Sequence, residues 1–189
     1  MKKFLRRNKL TTTITLIFTT ATLISQILIF VFLLFFLFKV ILKRKINLKL
    51  PRIKTSLTFS SLALITVSVS TLVSLYYSEI ANFYPCKLCW IERIAMFPLF
   101  PLLLIGSIGK EKLFLKWTPV FSITGFLISG YHYLLQINLS NAEICSSEIT
   151  CTEKWIWEYG YISIPMMGLT AFGIITILSI YGYWIKNEI

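Results

Sequence analysis

Two cysteines separated by two residues, Cys86 and Cys89, are the residues of this sequence best placed to do chemistry. A Cys-x-x-Cys pair can close a small disulfide whose thiols attack and leave readily, which suits thiol–disulfide exchange. An acid and a base, Glu92 and Arg93, follow about one helical turn later, and a long apolar run continues from there. Because that run is long enough to cross a bilayer, the pattern predicts redox chemistry at a membrane surface.

A second cysteine pair, Cys145 and Cys151, completes the four cysteines of the chain. An even number in two pairs suits two disulfides in an oxidising compartment, provided that both pairs face the same side of a membrane. The residues between Cys145 and Cys151 form a short segment, and this spacing allows a direct disulfide between them.

The composition is that of a membrane protein. The chain has 189 residues, of which 56% are hydrophobic and 14% are charged, and its mean hydropathy is +0.75. A soluble domain of this size would carry roughly a quarter charged residues. The net charge of +11 falls in short blocks between apolar runs, as orientation signals do, so the composition argues against nucleic-acid binding.

Five apolar stretches are predicted to form the membrane helices that position the cysteines. The linkers after the first and third stretches are basic, so we expect them on the cytoplasmic side, whereas the acidic loop that carries Cys145 and Cys151 is expected outside. Pro98 and Pro101 are predicted to bend the third helix, and Pro165 to bend or start the last one. The stretches cover about residues 11–42, 56–77, 88–108, 117–137 and 161–185.

The first stretch is too long for a secretory signal, and no small-residue cleavage site follows it, so it is predicted to be an uncleaved membrane helix. At 1.5 Å per residue it would extend over about 45 Å, more than the ~30 Å apolar core of a bilayer, so we expect it to tilt or emerge. A hairpin is the alternative, but its middle lacks Gly, Pro or Asn. If the helix crosses once, the basic residues 1–10 must lie outside, against the charge rule.

Cys86 and Cys89 are predicted to lie at the N-terminal end of the third helix, where free N–H groups and the helix dipole stabilise a thiolate. Arg93 follows Cys89 by four residues and shares its helix face, so its guanidinium would favour a thiolate further. A buried arginine needs an anion or an acceptor. The alternative is that Arg93 is an anchor reaching the membrane surface, with Glu92 as its surface partner.

Four stretches carry a family resemblance: SLYYSEI (74–80), PCKLCWIERI (85–94), YHYLLQ (131–136) and YGYISIPM (159–166, continuing to 172). Through them, residues from about 55 to 185 resemble the DsbB/BdbC family of disulfide-bond formation proteins, and more closely its shorter BdbC-like branch. The resemblance implies an all-α membrane protein with a DsbB-like four-helix transmembrane bundle in residues 55–189. The extra transmembrane helix predicted in residues 1–54 departs from the family, which is built from four membrane helices with the N-terminus inside.

The resemblance implies a membrane thiol:quinone oxidoreductase that reoxidises a DsbA-like, thioredoxin-fold partner on the extracytoplasmic face of the cell (inner) membrane. Its cofactor would be ubiquinone or menaquinone, and the protein is expected to be a monomer. By position, Cys145 would be attacked by the partner's thiolate. Cys151 would resolve that mixed disulfide or pass electrons to Cys86, and Cys89 would contact the quinone ring.

The resemblance assigns two further residues to the quinone. Arg93 would hold a quinone carbonyl and stabilise negative charge that develops on its oxygen, and His132 occupies a position similar to the family's histidine near the quinone. The alternative for His132 is an interfacial, aromatic-like residue between Tyr131 and Tyr133.

Three rival interpretations compete with this one. A structural multi-pass membrane protein with two inert disulfides would resist mild reductant. A four-cysteine metal site has a plausible ligand number, but an oxidising face and the lack of flanking zinc-ribbon glycines argue against it, so we expect no metal. An enzyme of the vitamin K epoxide reductase type would carry its Cys-x-x-Cys on a late helix, whereas here the motif opens an early one.

Overall fold

The computed structural model describes residues 9–41, 55–108, 112–137 and 151–187. Regular structure in these ranges is helical, apart from one isolated β-bridge between Glu158 and Ile162. The all-α fold class is therefore confirmed. The helices are α1 (Lys9–Ile41), α2 (Thr55–Leu75), a short π-helix (Tyr76–Ile80), α3 (Lys87–Met96), α4 (Leu99–Ile108), α5 (Lys112–Gln136) and α6 (Ile164–Asn187).

Several helices are long and apolar enough to cross a membrane by length and composition. Within the described residues they are Lys9–Phe35, Phe59–Ile80 and Lys87–Gly106, and Ile164–Ile180 is a shorter apolar segment. The large apolar side chains that remain exposed on these helices suit a lipid surround. The chain is thus a multi-pass membrane protein, as its composition predicted.

The third predicted helix is interrupted where the sequence placed a bend. It forms α3 and α4, which are separated at Phe97 and Pro98. Proline has no N–H for the helical ladder and its ring crowds the preceding turn, so the ladder stops there. Pro101 lies near the start of α4, where a missing N–H costs little, and the chain remains helical through it.

The last helix begins three residues later than the sequence suggested, at Ile164, and Pro165 lies in its first turn as a helix start. Tyr159 and Gly160 have positive φ angles of 53° and 79°. Together with the bridge between Glu158 and Ile162, whose backbone groups exchange two hydrogen bonds of 2.9 Å, they form a tight turn. This turn keeps residues 158–162 out of the helix.

Helices α5 and α6 pack closely because glycines face larger side chains between them. A Cβ at Gly125 would overlap the Phe172 ring, which is buried in the main apolar core. At Gly168 a Cβ would lie 3.2 Å from Ser129 Oγ and 3.8 Å from Glu92 Oε2. Small residues let helix backbones approach in a membrane, and here they bring α6 directly over Glu92.

Helix α1 is a single continuous helix, so the hairpin alternative is wrong. Its first turns lie against the end of α2 that leads to the cysteines. Thr11 Oγ1 is 3.3 Å from the Tyr76 hydroxyl, and the Tyr77 hydroxyl donates to Thr15 Oγ1 at 3.5 Å. The beginning of α1 therefore lies at the same end of the bundle as Cys86.

Candidate active site

The loop between the π-helix and α3 is held by aromatic stacking. The Phe83 ring lies between those of Tyr77 and Trp155, with centroid distances of 5.6 and 5.2 Å. Asn82 has a positive φ of 54°, which turns the chain, and the Phe83 N–H donates to the Tyr77 carbonyl at 2.9 Å. These contacts fix the point at which Cys86 enters α3.

Cys86 is the N-cap of α3, as the predicted helix end required. Its backbone is extended, with φ −75° and ψ 175°, and its sulfur accepts a hydrogen bond from the Cys89 N–H at 3.4 Å. Sulfur here takes the place of the side-chain oxygen that usually satisfies a free N–H at a helix start. The same interaction favours a thiolate at Cys86.

The two sulfurs of the motif lie 3.4 Å apart, and both cysteines carry free thiols. Cys86 is buried and Cys89 is half-buried. Because a disulfide bond is about 2.05 Å long, a small movement joins the two sulfurs. The pair can therefore alternate between dithiol and disulfide with little change in the surrounding helix.

His132, on α5, connects Cys86 to a buried carboxylate. Its Nε2 is 3.6 Å from Cys86 Sγ, and its Nδ1 is 2.9 Å from Glu92 Oε1. His132 and Glu92 are 2% and 9% exposed. When Glu92 accepts the Nδ1 hydrogen, Nε2 is the nitrogen that can take a proton from Cys86. His132 is therefore buried between Cys86 and Glu92, whereas the alternative interpretation made it an interfacial, aromatic-like residue.

The pKa of the Cys86 thiol, which precedes the span Lys87–Gly106, is lowered to about 4. The hydrogen bond from the Cys89 side chain contributes most, and the hydrogen bond and charge of His132 add to it, against burial, which raises the pKa. Cys86 is therefore a thiolate at neutral pH when the pair is reduced, and a thiolate is the form that reacts with disulfides.

Arg93 is buried and bonded to the end of α2. Its Nε donates to Ser74 Oγ at 3.0 Å and its Nη2 donates to the Ser74 carbonyl at 2.8 Å. The guanidinium carbon also lies 5.2 Å from the centroid of the Trp90 ring. The interpretation of Arg93 as a surface anchor paired with Glu92 is wrong, because Arg93 is held by Ser74 and Glu92 binds His132.

A cavity of about 370 Å³ lies beside Cys89. Its walls come from α1, α2, α3 and α6 and are mainly apolar, as a lipid-soluble ligand requires. Cys89, Glu92 and Arg93 line it together with several hydroxyl residues, among them Ser74. The structure thus brings the predicted residues Cys89 and Arg93 to one cavity.

A second, smaller cavity of about 20 Å³ lies on the other side of the pair and is lined by Cys86, Cys89, His132 and Cys151. Cys151 is disulfide-bonded and packs in one buried cluster with Cys86. Cys145 lies outside the described residues. His132 borders this small cavity rather than the large one, so the structure places it beside Cys86.

Two residues of the site were missed or misplaced by the sequence interpretation. Glu92 appeared there only as a surface partner, although it follows Cys89 by three residues, which places it one turn further along the same side of α3. That spacing is a signal that could have found it. Ser74 begins the matching stretch SLYYSEI, but it is one of many hydroxyl residues along α2, so the sequence did not indicate that it holds Arg93.

A metal ion would find three donors here. The sulfurs of Cys86 and Cys89 and a ring nitrogen of His132 lie within 4.8 Å of one another. Two sulfurs on one tetrahedral zinc ion are roughly 3.8 Å apart, given Zn–S bonds of about 2.3 Å. The observed separation is 3.4 Å, a contact that two thiols also make without a metal.

Comparison with known proteins agrees with this geometry. Residues 56–182 match the family model described as disulfide bond formation protein DsbB. The "Probable disulfide formation protein C" of Halalkalibacterium halodurans is 37% identical over 118 residues, which cover 61% of this chain and 86% of the relative. The "Disulfide bond formation protein C" of Bacillus subtilis is 36% identical over 126 residues, which cover 66% and 91%. No solved structure gives a significant match.

Proposed function

The chain belongs to the DsbB family of disulfide bond formation proteins, and on that premise we propose that it is a membrane thiol:quinone oxidoreductase that reoxidises a DsbA-like, thioredoxin-fold partner. One observation carries the proposal. Cys89 borders both the large apolar cavity and the small cavity that also contains Cys86 and Cys151. The motif therefore connects a site suited to a lipid-soluble molecule with a second cysteine that can exchange electrons with protein thiols.

On this proposal the large cavity holds the quinone head group and the first part of its apolar tail. Its apolar walls suit the ring and tail, and Arg93 offers a buried cation beside Cys89. Arg93 keeps its position through Ser74, so its guanidinium is preorganised for an anionic oxygen. A bound ubiquinone or menaquinone would supply a two-electron, two-proton acceptor.

Thiol–disulfide exchange would bring electrons to the motif. A thiolate of the reduced partner attacks the disulfide that contains Cys151, which on this proposal is bonded to Cys145, as their spacing allows. The partner's second thiolate then releases the oxidised partner and leaves that pair reduced. In a second exchange this dithiol reduces the Cys86–Cys89 disulfide and becomes a disulfide again. Two electrons thus reach Cys86 and Cys89, and two protons accompany them.

His132, positioned by Glu92, would accept and donate the proton of the Cys86 thiol. As the Cys86–Cys89 disulfide is reduced, Cys86 is released as a thiolate, which its position at the start of α3 stabilises. His132 Nε2 takes or returns a proton at the Cys86 sulfur, and Glu92 holds the ring in position and stabilises its positive form. The pair is buried in the bundle, where such contacts are stronger than in water.

The proposal places both cysteine pairs on the extracytoplasmic face of the cell membrane and takes the protein to be a monomer. The basic linkers support this orientation of α2 to α6, because positively charged loops remain cytoplasmic. The beginning of α1 lies at the cysteine end, so the basic residues preceding it would also face outward. In this orientation α1 is an exception to the rule that positively charged segments remain cytoplasmic.

Reconstitution tests the proposal. The full chain in lipid nanodiscs is mixed with a reduced thioredoxin-fold oxidase and decylubiquinone or menaquinone-4, and quinone reduction is followed by absorbance. We expect catalytic quinone reduction that stops in Cys89→Ser. Equal rates for Cys89→Ser and the unmodified protein would refute the proposal. A structural protein with two inert disulfides would show no quinone reduction, and its cysteines would resist mild reductant.

A further inference from the structure

We infer that α1 is a functional wall of the quinone cavity, which closes one side of the cavity and limits the size of the quinone it accepts. The inference rests on the proposed function, because it assigns a role to α1 at that same site. Helix α1 precedes the family match, which begins at residue 56, and it contributes to the cavity lining.

The two faces of α1 differ in a way that indicates packing against protein. The side toward the bundle carries hydroxyls, and Thr11, Thr15 and Thr19 are 8%, 1% and 0% exposed. The opposite side carries large apolar residues, such as Leu16 and Ile24, which are 51% and 58% exposed. A helix that served only as a lipid anchor would have no reason to bury its hydroxyls, so this polarity indicates a helix built to join the bundle.

The bundle-facing side of α1 reaches the cavity itself. Its four contributions to the lining are Phe18, Ala21, Thr22 and Ser25, which lie on successive turns. Thr22 and Ser25 donate their hydroxyl hydrogens to carbonyls of their own helix at 2.7 and 2.9 Å. In this state they offer no donor to a ligand, so the α1 wall would act on a quinone through shape.

Gln26 connects α1 to the region around the start of α6 by two hydrogen bonds. Its Nε2 donates to Thr170 Oγ1 at 2.9 Å, and its Oε1 accepts from the Tyr161 hydroxyl at 2.8 Å. The Gln26 amide therefore donates one hydrogen bond and accepts another. Together they fix the rotation of α1 about its axis and its position along that axis. Thr170 also lines the cavity, so the anchor lies at the cavity wall.

The polar residues beside the motif line the same cavity as α1. Arg93 and Cys89 line it from α3, so a quinone held by Arg93 would share the cavity with the inner face of α1. Removing α1 would open its side of the cavity to lipid. Enlarging a residue of its inner face would narrow the space for the ring, and the larger naphthoquinone ring would be affected more than the benzoquinone ring.

Two matched substitutions test this role. Thr22→Phe adds an aromatic ring to the inner face, and Ile24→Phe adds the same ring to the lipid-exposed face of the same turn. Gln26→Leu removes both anchoring hydrogen bonds at similar volume. Binding of decylubiquinone and menaquinone-4 to each full-length variant in nanodiscs is measured by quenching of intrinsic tryptophan fluorescence, alongside the quinone KM and the thermal unfolding temperature.

We expect Thr22→Phe to raise the quinone Kd and KM about tenfold or more, with the larger rise for menaquinone-4, and Ile24→Phe to change both less than twofold. Gln26→Leu should raise both constants while the protein still oxidises one equivalent of dithiol per motif. If Thr22→Phe does not fold, the quinone Kd and KM of Gln26→Leu test the role of α1. Values equal to those of Ile24→Phe would overturn the role of α1. An unmodified protein that reduces neither quinone would instead overturn the proposed function.

Discussion

The two sulfurs of the motif lie 3.4 Å apart, yet their surroundings differ sharply. Cys86 lies among buried groups that form hydrogen bonds, with His132 at 3.6 Å and Cys151 in the same cluster. Cys89 borders a mainly apolar cavity of about 370 Å³ that also contains Arg93. One side suits thiol exchange and proton transfer, and the other suits a lipid-soluble acceptor.

The difference follows from where each cysteine lies on α3. Cys86 is the N-cap, outside the helix, and its sulfur contacts His132 on α5. Cys89 lies inside the first turn and faces the space between α2, α3 and α6. A Cys-x-x-Cys at a helix start therefore directs neighbouring sulfurs into two environments. Two electrons can pass between these environments across one disulfide.

The largest expected effect separates the two cysteines directly. Cys86→Ser and Cys89→Ser should each lower quinone-dependent turnover by about 1,000-fold or more, because neither variant can close the disulfide. The two variants should differ in how much mixed disulfide each one accumulates. Cys89→Ser leaves Cys86 beside Cys151 and should accumulate a mixed disulfide to the second pair, whereas Cys86→Ser should accumulate much less.

Non-reducing peptide mapping by mass spectrometry measures that difference. Equal trapping by the two variants would break the assignment of Cys86 to the exchange side and Cys89 to the quinone side. A double variant that lacks both cysteines serves as the control for linkage of the second pair alone.

The next effect concerns the cavity side. Arg93→Ala should raise the quinone KM about tenfold or more, because the buried donor beside Cys89 is lost. Dithiol oxidation in a single turnover should persist, since the Cys86 side keeps His132 and Glu92. Stopped-flow absorbance with decylubiquinone measures both quantities. An unchanged KM would remove Arg93 from the quinone site.

A smaller effect concerns the exchange side and depends on pH. The pKa of Cys86 is lowered to about 4 by Cys89 and by His132, so its thiolate persists from neutral pH down to that value and is lost as the pH falls through it. His132→Gln removes one of these causes and should raise the pKa by about one unit or more. Glu92→Gln should act in the same direction more weakly, since it acts through His132.

Thiolate absorbance at 240 nm in the reduced protein, titrated from pH 3 to 9, measures that shift. Peptide mapping after pulsed alkylation assigns it to Cys86. A titration midpoint of Cys86 that is the same in His132→Gln and in the unmodified protein would contradict the proposed contact. The quinone Kd should change little in His132→Gln, because His132 borders the small cavity and not the large one, and this distinguishes the exchange side from the cavity side.

The smallest expected effect is at Trp90, whose ring lies 5.2 Å from the Arg93 guanidinium carbon and is 53% exposed. A cation–π contact at an exposed site contributes about 0.5–1 kcal/mol, so Trp90→Leu should raise the quinone KM about two- to fivefold. Ser74 still holds the guanidinium in this variant. A rise as large as that of Arg93→Ala would mean that Trp90, rather than Ser74, determines the position of Arg93.

Much of this site follows from local sequence. The helix start at Cys86, the break at Pro98 and the helical start around Pro165 follow from backbone chemistry, which acts over a few residues. The prediction of one continuous third helix was wrong only at Pro98, where the helix is interrupted instead of bent. The late start of α6 depends on the turn at Tyr159 and Gly160, whose positive φ angles the sequence pattern did not indicate.

The partners of buried polar groups could not be predicted in the same way. Glu92 could bond to Arg93 or to His132 by sequence, and the choice depends on how α3, α5 and α6 pack around Gly168. Ser74 receives Arg93 because α2 ends beside α3. The contacts of α1 depend on Gln26, which bonds to Tyr161 and Thr170. These two partners lie 135 and 144 positions further along the chain. Such pairings are set by tertiary packing.

Electron transfer from the motif to a quinone can be measured in a single turnover. The full chain in nanodiscs is reduced at Cys86 and Cys89, freed of reductant and mixed anaerobically with decylubiquinone, and both quinol and protein thiols are counted. We predict one quinol formed for each Cys86–Cys89 disulfide, and none in Cys89→Ser. Oxidation of the thiols without quinol, or equal quinol from Cys89→Ser, would contradict it.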